Sequence, residues 1–535
     1  MRINTLPGFK LFHLRNPRSH GRNFRLLNVY KFFAVFCFLS SSVSVIMLIS
    51  WNIPSNDSGT AVDSSTTESP DPYLNVASEI RNAVVHSWEA YKESAWGLDE
   101  LHPISRTGTV WMGTAVTMID SLDTLWIMGL FEEFKAAQNW TTKNLRFNLD
   151  SDHINLFEIT IRVLGGLLSA HSLSKEKIFL KKAEELGSRL LCAFTPNMIL
   201  PKTDINLARQ TSHYATWTTS QSLSEVSSIQ LELNELTALT GNVVYASVGA
   251  KISKHLHSIS KTKGLINCML DTSTGLPEKS SAITMGARAD SYYEYLLKVW
   301  VQNGRTIDFL LRDFTAAIEG VAELLVGYSK PNNLMFIAEA YTEGQTIPKM
   351  DHLVCYLPGA LAYAVHHGLP EKYMQMATEL MRTCYEMYRQ MPTGLSPDYV
   401  YFSEKPDSEG DMTVMSDGRF NALRPETMES LYYLYRMTRN QTYREWGERI
   451  FRAFQNYSRV PSGGYAVLHD VTDVHSPHVD IMHSFWISET LKYAFLLFNE
   501  TAASLFPFDK WVFNTEGHPL PVHSKPHPLV LDSYG

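Results

Sequence analysis

Six acidic residues, Glu158, Glu225, Asp290, Asp351, Glu426 and Glu489, each stand at or near the start of an apolar run, and consecutive members lie 67, 65, 61, 75 and 63 residues apart. The runs, among them LFEITIRVLGGLLSAHSL, VSSIQLELNELTAL, SYYEYLLKVWV, MESLYYLYRM and SETLKYAFLLF, space their apolar residues as helices do rather than alternating as strands do. A step of about 65 residues holds two helices of four to five turns and two connections, and from residue 79 to about 525 it fits about seven times. Stacked hairpins of this kind bury each unit against its neighbours, and closing the stack into a ring would gather equivalent helix ends around one cavity. Acids recurring at one position of every hairpin would then converge. Taken singly, each acid also fits a solvated helix-terminal residue facing the dipole; the shared period weighs against that for the set.

The chain is long enough for a sizeable core, with 44% hydrophobic residues among 535, and its net charge of −8 excludes the basic footprint of a nucleic-acid binder. No Walker A loop, GxSxG elbow, HExxH or CxxC is present. Residues 32–50 carry no charge and suffice to cross a hydrocarbon core of ~30 Å. The seven basic residues before them, with no acid, place residues 1–31 in the cytoplasm. The expected organisation is a cytoplasmic tail (1–31), a transmembrane signal anchor (32–51), a Ser/Thr/Asp/Pro-rich luminal stem (52–78), a helical domain (79–525) and a short tail (526–535). Without residues 1–31 the balance is 40 basic against 55 acidic, a net of −15. Sequons at Asn56, Asn139, Asn440, Asn456 and Asn499 suit a lumen where glycans are attached. The same lumen permits disulfides, and Cys192, Cys268, Cys355 and Cys384 allow three complete pairings or free thiols.

Several segments carry chemistry. Glu158 and Arg162 share a helix face inside a run that is apolar all round, an arrangement costly to desolvate and kept either as a structural ion pair or for function. Asp290, just after Arg288, suits an N-cap as well as a ligand. Pro425 fits a first helical turn, with Arg424 and Glu426 beside it. Asp398 reads locally as a turn acid, and His352 as a core histidine. Clustered carboxylates with aromatics and few basic groups suit a neutral polyhydroxylated ligand or a hard cation, and glycoside hydrolysis uses such a set: one carboxylic acid protonates the leaving oxygen while another carboxylate activates water or attacks.

AWGLDEL (95–101), MIDSLDTLWIMGL (118–130), FEITIRVLGGLLSAH (157–171), GARADSYYEYLLK (286–298), MDHLVCYLPG (350–359), LRPETMESLYYLYR (423–436) and VFNTEGHP (512–519) together resemble the class I α-1,2-mannosidases, glycoside hydrolase family 47. The resemblance implies an all-α (αα)7 barrel and inverting hydrolysis of high-mannose N-glycans with one Ca2+ ion. It implies Glu158 as general acid, Glu426 as general base, Asp290 as a third essential carboxylate and Asp398 as a catalytic acid where relatives usually have Glu. Arg162, Glu225, Arg288, His352, Arg424, Phe485 and Glu489 match the sugar-binding positions, Thr515 the calcium ligand, and Cys355 with Cys384 the family disulfide. His483 stands where the family pattern has Glu. Arg288 points to the type that removes one mannose from the nine-mannose glycan in the endoplasmic reticulum membrane. A Golgi enzyme of broader branch specificity and a glycan-binding degradation factor of the same fold are the alternatives.

Overall fold

The structure, a computed structural model, describes residues 73–196, 199–216, 218–342 and 345–535. The cytoplasmic tail, the anchor over 32–51, most of the stem and Asn56 lie outside the described residues.

Helices of two kinds alternate along the chain. Leu74–Ser94, Phe131–Asn144, Lys177–Leu190, Val243–Ser258, Asp308–Leu324, Lys372–Arg389 and Thr442–Tyr457 each bury one stripe and expose the other. In Lys177–Leu190, for example, Phe179, Ala183, Leu186 and Leu190 point inward at helical spacing. The intervening segments, 116–127, 156–174, 223–240, Asp290–Gln302, Leu357–His366, Glu426–Thr438 and Leu491–Phe498, are buried on nearly every side. Every residue from Ser291 to Gln302 is buried, as is every residue of Leu491–Phe498. These inner segments pack in chain order, and the turn Trp486–Thr490 that opens the last of them returns to Leu122–Ile127 in the first. Leu156–Ser174 is apolar and long enough to cross a membrane by composition, but it is an inner helix of this circuit. Its Gly165 and Gly166 permit close approach: a Cβ there would lie 2.7 Å from Asn514 Nδ2 and 2.7 Å from the Ile119 carbonyl.

Helices dominate, but the described residues also form eight small antiparallel sheets of two or three strands. Their strands are two to four residues long, too short for a period-2 signature in the sequence. Three of them lead straight into inner segments: Ile154–Asn155 into Leu156, Ser220–Ser222 into Leu223 and Lys349–Asp351 into His352. Pairing to a neighbour, such as Ser222 opposite Met269 and Asp351 opposite Tyr399, therefore fixes where those helices begin. Trp511–Phe513 and Pro519–Pro521 form a hairpin whose tip, 514–518, reaches four inner segments: Asn514 donates to Ile161 O and to Glu232, His518 meets Asp120, and Lys492 donates to Gly517 O.

The stretch 526–535, expected as a tail, carries the helix Pro528–Tyr534, which packs on Val243–Ser258 with Val530 and Tyr534 buried. Cys355 and Cys384 form a disulfide tying the start of one inner helix to its outer partner, whereas Cys192 and Cys268 are free thiols. Asn139, Asn440 and Asn456 are exposed, while Asn499 caps the helix Glu500–Ser504 by accepting from Ala502 N–H.

Candidate active site

Each of the six periodic acids sits at the beginning of an inner segment. Glu158 follows Asn155, whose side chain accepts the Glu158 N–H. The other face of that cap reaches the next acid, since Asn155 Nδ2 donates to Glu225 Oε1 at 3.0 Å and Ser222 Oγ donates to Glu225 Oε2 at 3.0 Å. Asp290 opens its helix as its first residue, after Ala289 at the N-cap, and accepts from Ser224 Oγ at 2.7 Å and from Ser291 N–H at 2.8 Å. Asp351 accepts from Ala287 N–H and pairs with Lys349 at 2.7 Å. Glu426 is bonded to His352 Nδ1 at 2.8 Å, and His352 Nε2 lies 2.7 Å from Tyr388 OH and 3.0 Å from Thr427 Oγ1. His352 is thus buried, as its local sequence suggests, but spent on a site carboxylate. Arg424 Nε donates to Asp398 Oδ1 at 2.5 Å, and Asp398 O accepts from His352 N–H, so the apparent turn acid belongs to the same cluster.

Arg162 joins this ring of acids to a deeper layer. Its guanidinium pairs with Glu158 at 2.7 Å and with Glu516, reaches Ser484 Oγ at 3.2 Å, and lies 3.8 Å from Asp120. Phe485 packs beside it, with the guanidinium 5.7 Å from the ring centroid. His483 stacks on Phe485 at 4.9 Å and bonds Glu100 Oε1 at 3.1 Å, so the histidine that departs from the family pattern still meets a carboxylate. Arg288 stands apart: it is exposed, held at φ 76°, and its Nη1 reaches Met269 Sδ at 3.5 Å, while its carbonyl accepts from Ser224 N–H.

Burial splits the carboxyls into two groups. Asp290 is pushed up to about 7 by desolvation, with the negative charges of Glu294 and Glu426 adding to it. Glu426 is also desolvated, but the hydrogen bond and charge of His352 and the charge of Arg424 prevail and hold it below the ordinary range. One acid thus keeps its proton near neutrality while its neighbour stays ionised. Such a divided pair is the electrostatic requirement of acid–base catalysis.

Below them, Glu489 and Glu516 are both raised well above ordinary values, first by desolvation; Glu516 further raises Glu489, and Asp120 and Glu158 further raise Glu516. Glu429 is pushed up to about 7 although Lys298 lies 3.4 Å away. Glu232 is likewise pushed up to about 7, and its Oε2 is buried with no hydrogen-bond partner. Thr515 lies in this layer between Asn514 and Glu516, its N–H directed at Tyr295 OH. Oxygen donors with too few cations among them fit a hard divalent ion.

Sequence reading missed the plug beneath this layer. Asp120, Asp123, Lys492 and His518 are each 0% exposed in their side chains: Lys492 pairs with Asp123 at 2.8 Å, and His518 bridges Asp123 at 2.7 Å and Asp120 at 3.0 Å. Glu516 and His518 stand in VFNTEGHP and Asp120 and Asp123 in MIDSLDTLWIMGL; polar residues fixed inside apolar runs were the available signal.

With this geometry in view, the comparisons with known proteins are specific. The profile of glycosyl hydrolase family 47 matches residues 83–522. The endoplasmic reticulum mannosyl-oligosaccharide 1,2-alpha-mannosidase of Rattus norvegicus is 48% identical over 448 residues, covering 83% of this chain and 68% of the relative. The mannosyl-oligosaccharide 1,2-alpha-mannosidase MNS3 of Arabidopsis thaliana is 39% identical over 515 residues, 87% of this chain and 82% of that one. Among solved structures, the alpha-1,2-mannosidase from Trichoderma reesei superposes with a TM-score of 0.77 at 26% identity, over 84% of this chain and 99% of that chain. A profile match over most of the chain, relatives of this identity and a shared helical barrel lead to one conclusion: the chain belongs to glycosyl hydrolase family 47.

Proposed function

We propose that the chain is a calcium-dependent, inverting exo-α-1,2-mannosidase that trims the nine-mannose N-glycan mainly to one eight-mannose isomer. In this reading its (αα)7 barrel lies in the lumen of the endoplasmic reticulum, anchored by residues 32–51 as a single-pass type II membrane protein. The observation that carries the proposal is one buried network of acids from separate inner helices: Glu426 bears on Asp290 and on Glu489, Glu516 bears on Glu489, and Glu158, paired with Arg162, bears on Glu516.

Hydrolysis with inversion needs a proton for the leaving oxygen and a base for the water attacking C1 from the opposite face. Glu426, kept ionised by His352 and Arg424, has the charge state to take the water's proton. His352 fixes its orientation, and Tyr388 and Thr427 fix His352. On the other side, Asp290 holds a proton near neutrality, and Glu158 is aimed by Arg162. That pair supplies the proton that the leaving oxygen takes as its bond to C1 breaks; the water's second hydrogen stays on the anomeric hydroxyl of the released mannose, and the proton gained by Glu426 returns to the acid through solvent after each turnover. Asp398 acts through Arg424 by fixing the guanidinium beside Glu426. Phe485 offers an apolar face for the sugar ring, and Glu225 hydrogen-bonding capacity. Thr515, through its hydroxyl and carbonyl oxygens, would hold the calcium ion, with Glu489 and Glu516 holding its waters. When bound, the ion supplies positive charge that offsets these carboxylates and grips sugar hydroxyls.

Arg288, exposed where the strand Met269–Asp271 meets the helix Asp290–Gln302, would narrow which glycan branch enters. Incubating the full chain with the nine-mannose glycan and calcium tests the assignment. One eight-mannose isomer should accumulate, and rapid passage to five mannoses would replace this reading with the Golgi type.

A further inference from the structure

At the opposite end of the inner helix Leu357–His366 from the site, His366, His367 and Asp509 bring one ligand atom each to within 4.8 Å of one another. His352 and His366 are 14 residues apart on one helical path, about 20 Å at 1.5 Å per residue, so this cluster is separate from the carboxylates described above. His366 Nε2 lies 3.6 Å from Asp509 Oδ2, and His367 Nδ1 lies 3.9 Å from Asp509 Oδ1. Neither contact is a hydrogen bond in length.

The second observation is His367 itself. Its side chain is 2% exposed, yet neither ring nitrogen has a hydrogen-bond partner. Buried polar atoms are normally satisfied, and an orphaned imidazole calls for an absent partner. Tyr363 packs edge-on at 4.5 Å and Trp300 at 6.5 Å, so the ring is held in place by aromatic walls that offer it no acceptor. Burial and the neighbouring His366 push its pKa down to about 4, which leaves it neutral, the form that ligates metals.

We propose that His366, His367 and Asp509 form a binding site for a zinc-class transition-metal ion. Two imidazoles and one carboxylate suit zinc, and three protein ligands leave a position for water. Calcium, which prefers oxygen ligands, is excluded by the same donors. Asp509 is 69% exposed and stands in the turn just before the strand Trp511–Phe513, so it can rotate the short distance to close the set. The ion would then pin the foot of the hairpin whose tip carries Thr515, Glu516 and His518 to the end of an inner helix.

The test is zinc titration of the purified full chain, without added histidines and in excess calcium so that the carboxylate site is occupied. His366→Gln and Asp509→Asn are the variants, because both positions are partly or largely exposed and neither substitution disturbs the packed ring of His367. The wild type should bind one more zinc ion than either variant, or bind it at least ~10-fold more tightly, and its unfolding midpoint should rise with zinc where theirs does not. Turnover in calcium alone should be unchanged in both. Equal zinc binding by all three proteins, no binding by the wild type, or displacement of the zinc by calcium would overturn the proposal.

Discussion

The mouth of the barrel and the plug beneath it are built from the same residue types and behave oppositely. In the plug, two carboxylates, Asp120 and Asp123, face two cations, Lys492 and His518; desolvation alone would raise both acids, yet Lys492 and His518 hold Asp123 down to about 2, and His518 and Arg162 lower Asp120. In the mouth, Asp290, Glu429, Glu489 and Glu516 all rise, first because burial desolvates them and then because the charges of neighbouring acids add to it. Balanced buried charge fixes structure. Unbalanced buried charge costs stability, and it is retained where a ligand, an ion or a moving proton completes it.

This contrast can be broken from either side. Lys492→Met keeps much of the side-chain volume but leaves Asp123 short of its cation and the Gly517 carbonyl without its donor. A loss of ~3–5 kcal/mol in urea unfolding is expected for breaking such a pair; a loss below ~1 kcal/mol would mean that His518 alone balances the plug. Glu426→Gln, nearly isosteric, acts in the mouth and tests function there: the chain should still fold, while turnover falls at least ~10²-fold. Near-normal turnover would remove Glu426 from the base role.

How much of this was legible in sequence follows from range. The 65-residue recurrence of acids pointed to the alternation of inner and outer helices and to acids standing at or near the starts of the inner ones, since both are written in spacing. The short strands before Leu156, Leu223 and His352 were not legible, because two or three residues carry no period. Nor was the turn at Trp486–Thr490, or the one at Ile159–Leu164, where the inner helices widen to π-helical geometry and set Glu489 and Arg162 in place; such turns depend on packing rather than on propensity. The plug escaped for a related reason. Asp120 and His518 are 398 residues apart, and nothing local pairs them. Asp398 illustrates the converse: it reads as a turn acid until Arg424 is seen to reach it.

The most direct test is the pH dependence of kcat/KM for the full chain in calcium, compared between wild type and Asp290→Asn. The account predicts a bell: activity falls at acid pH as Glu426 gains a proton below the ordinary carboxylate range, and falls again near pH 7 as Asp290 loses its own. In Asp290→Asn the residual activity should keep the acid limb and lose the basic one. A basic limb that is absent in the wild type, or that survives unchanged in the variant, would contradict the division of protonation states on which the account rests.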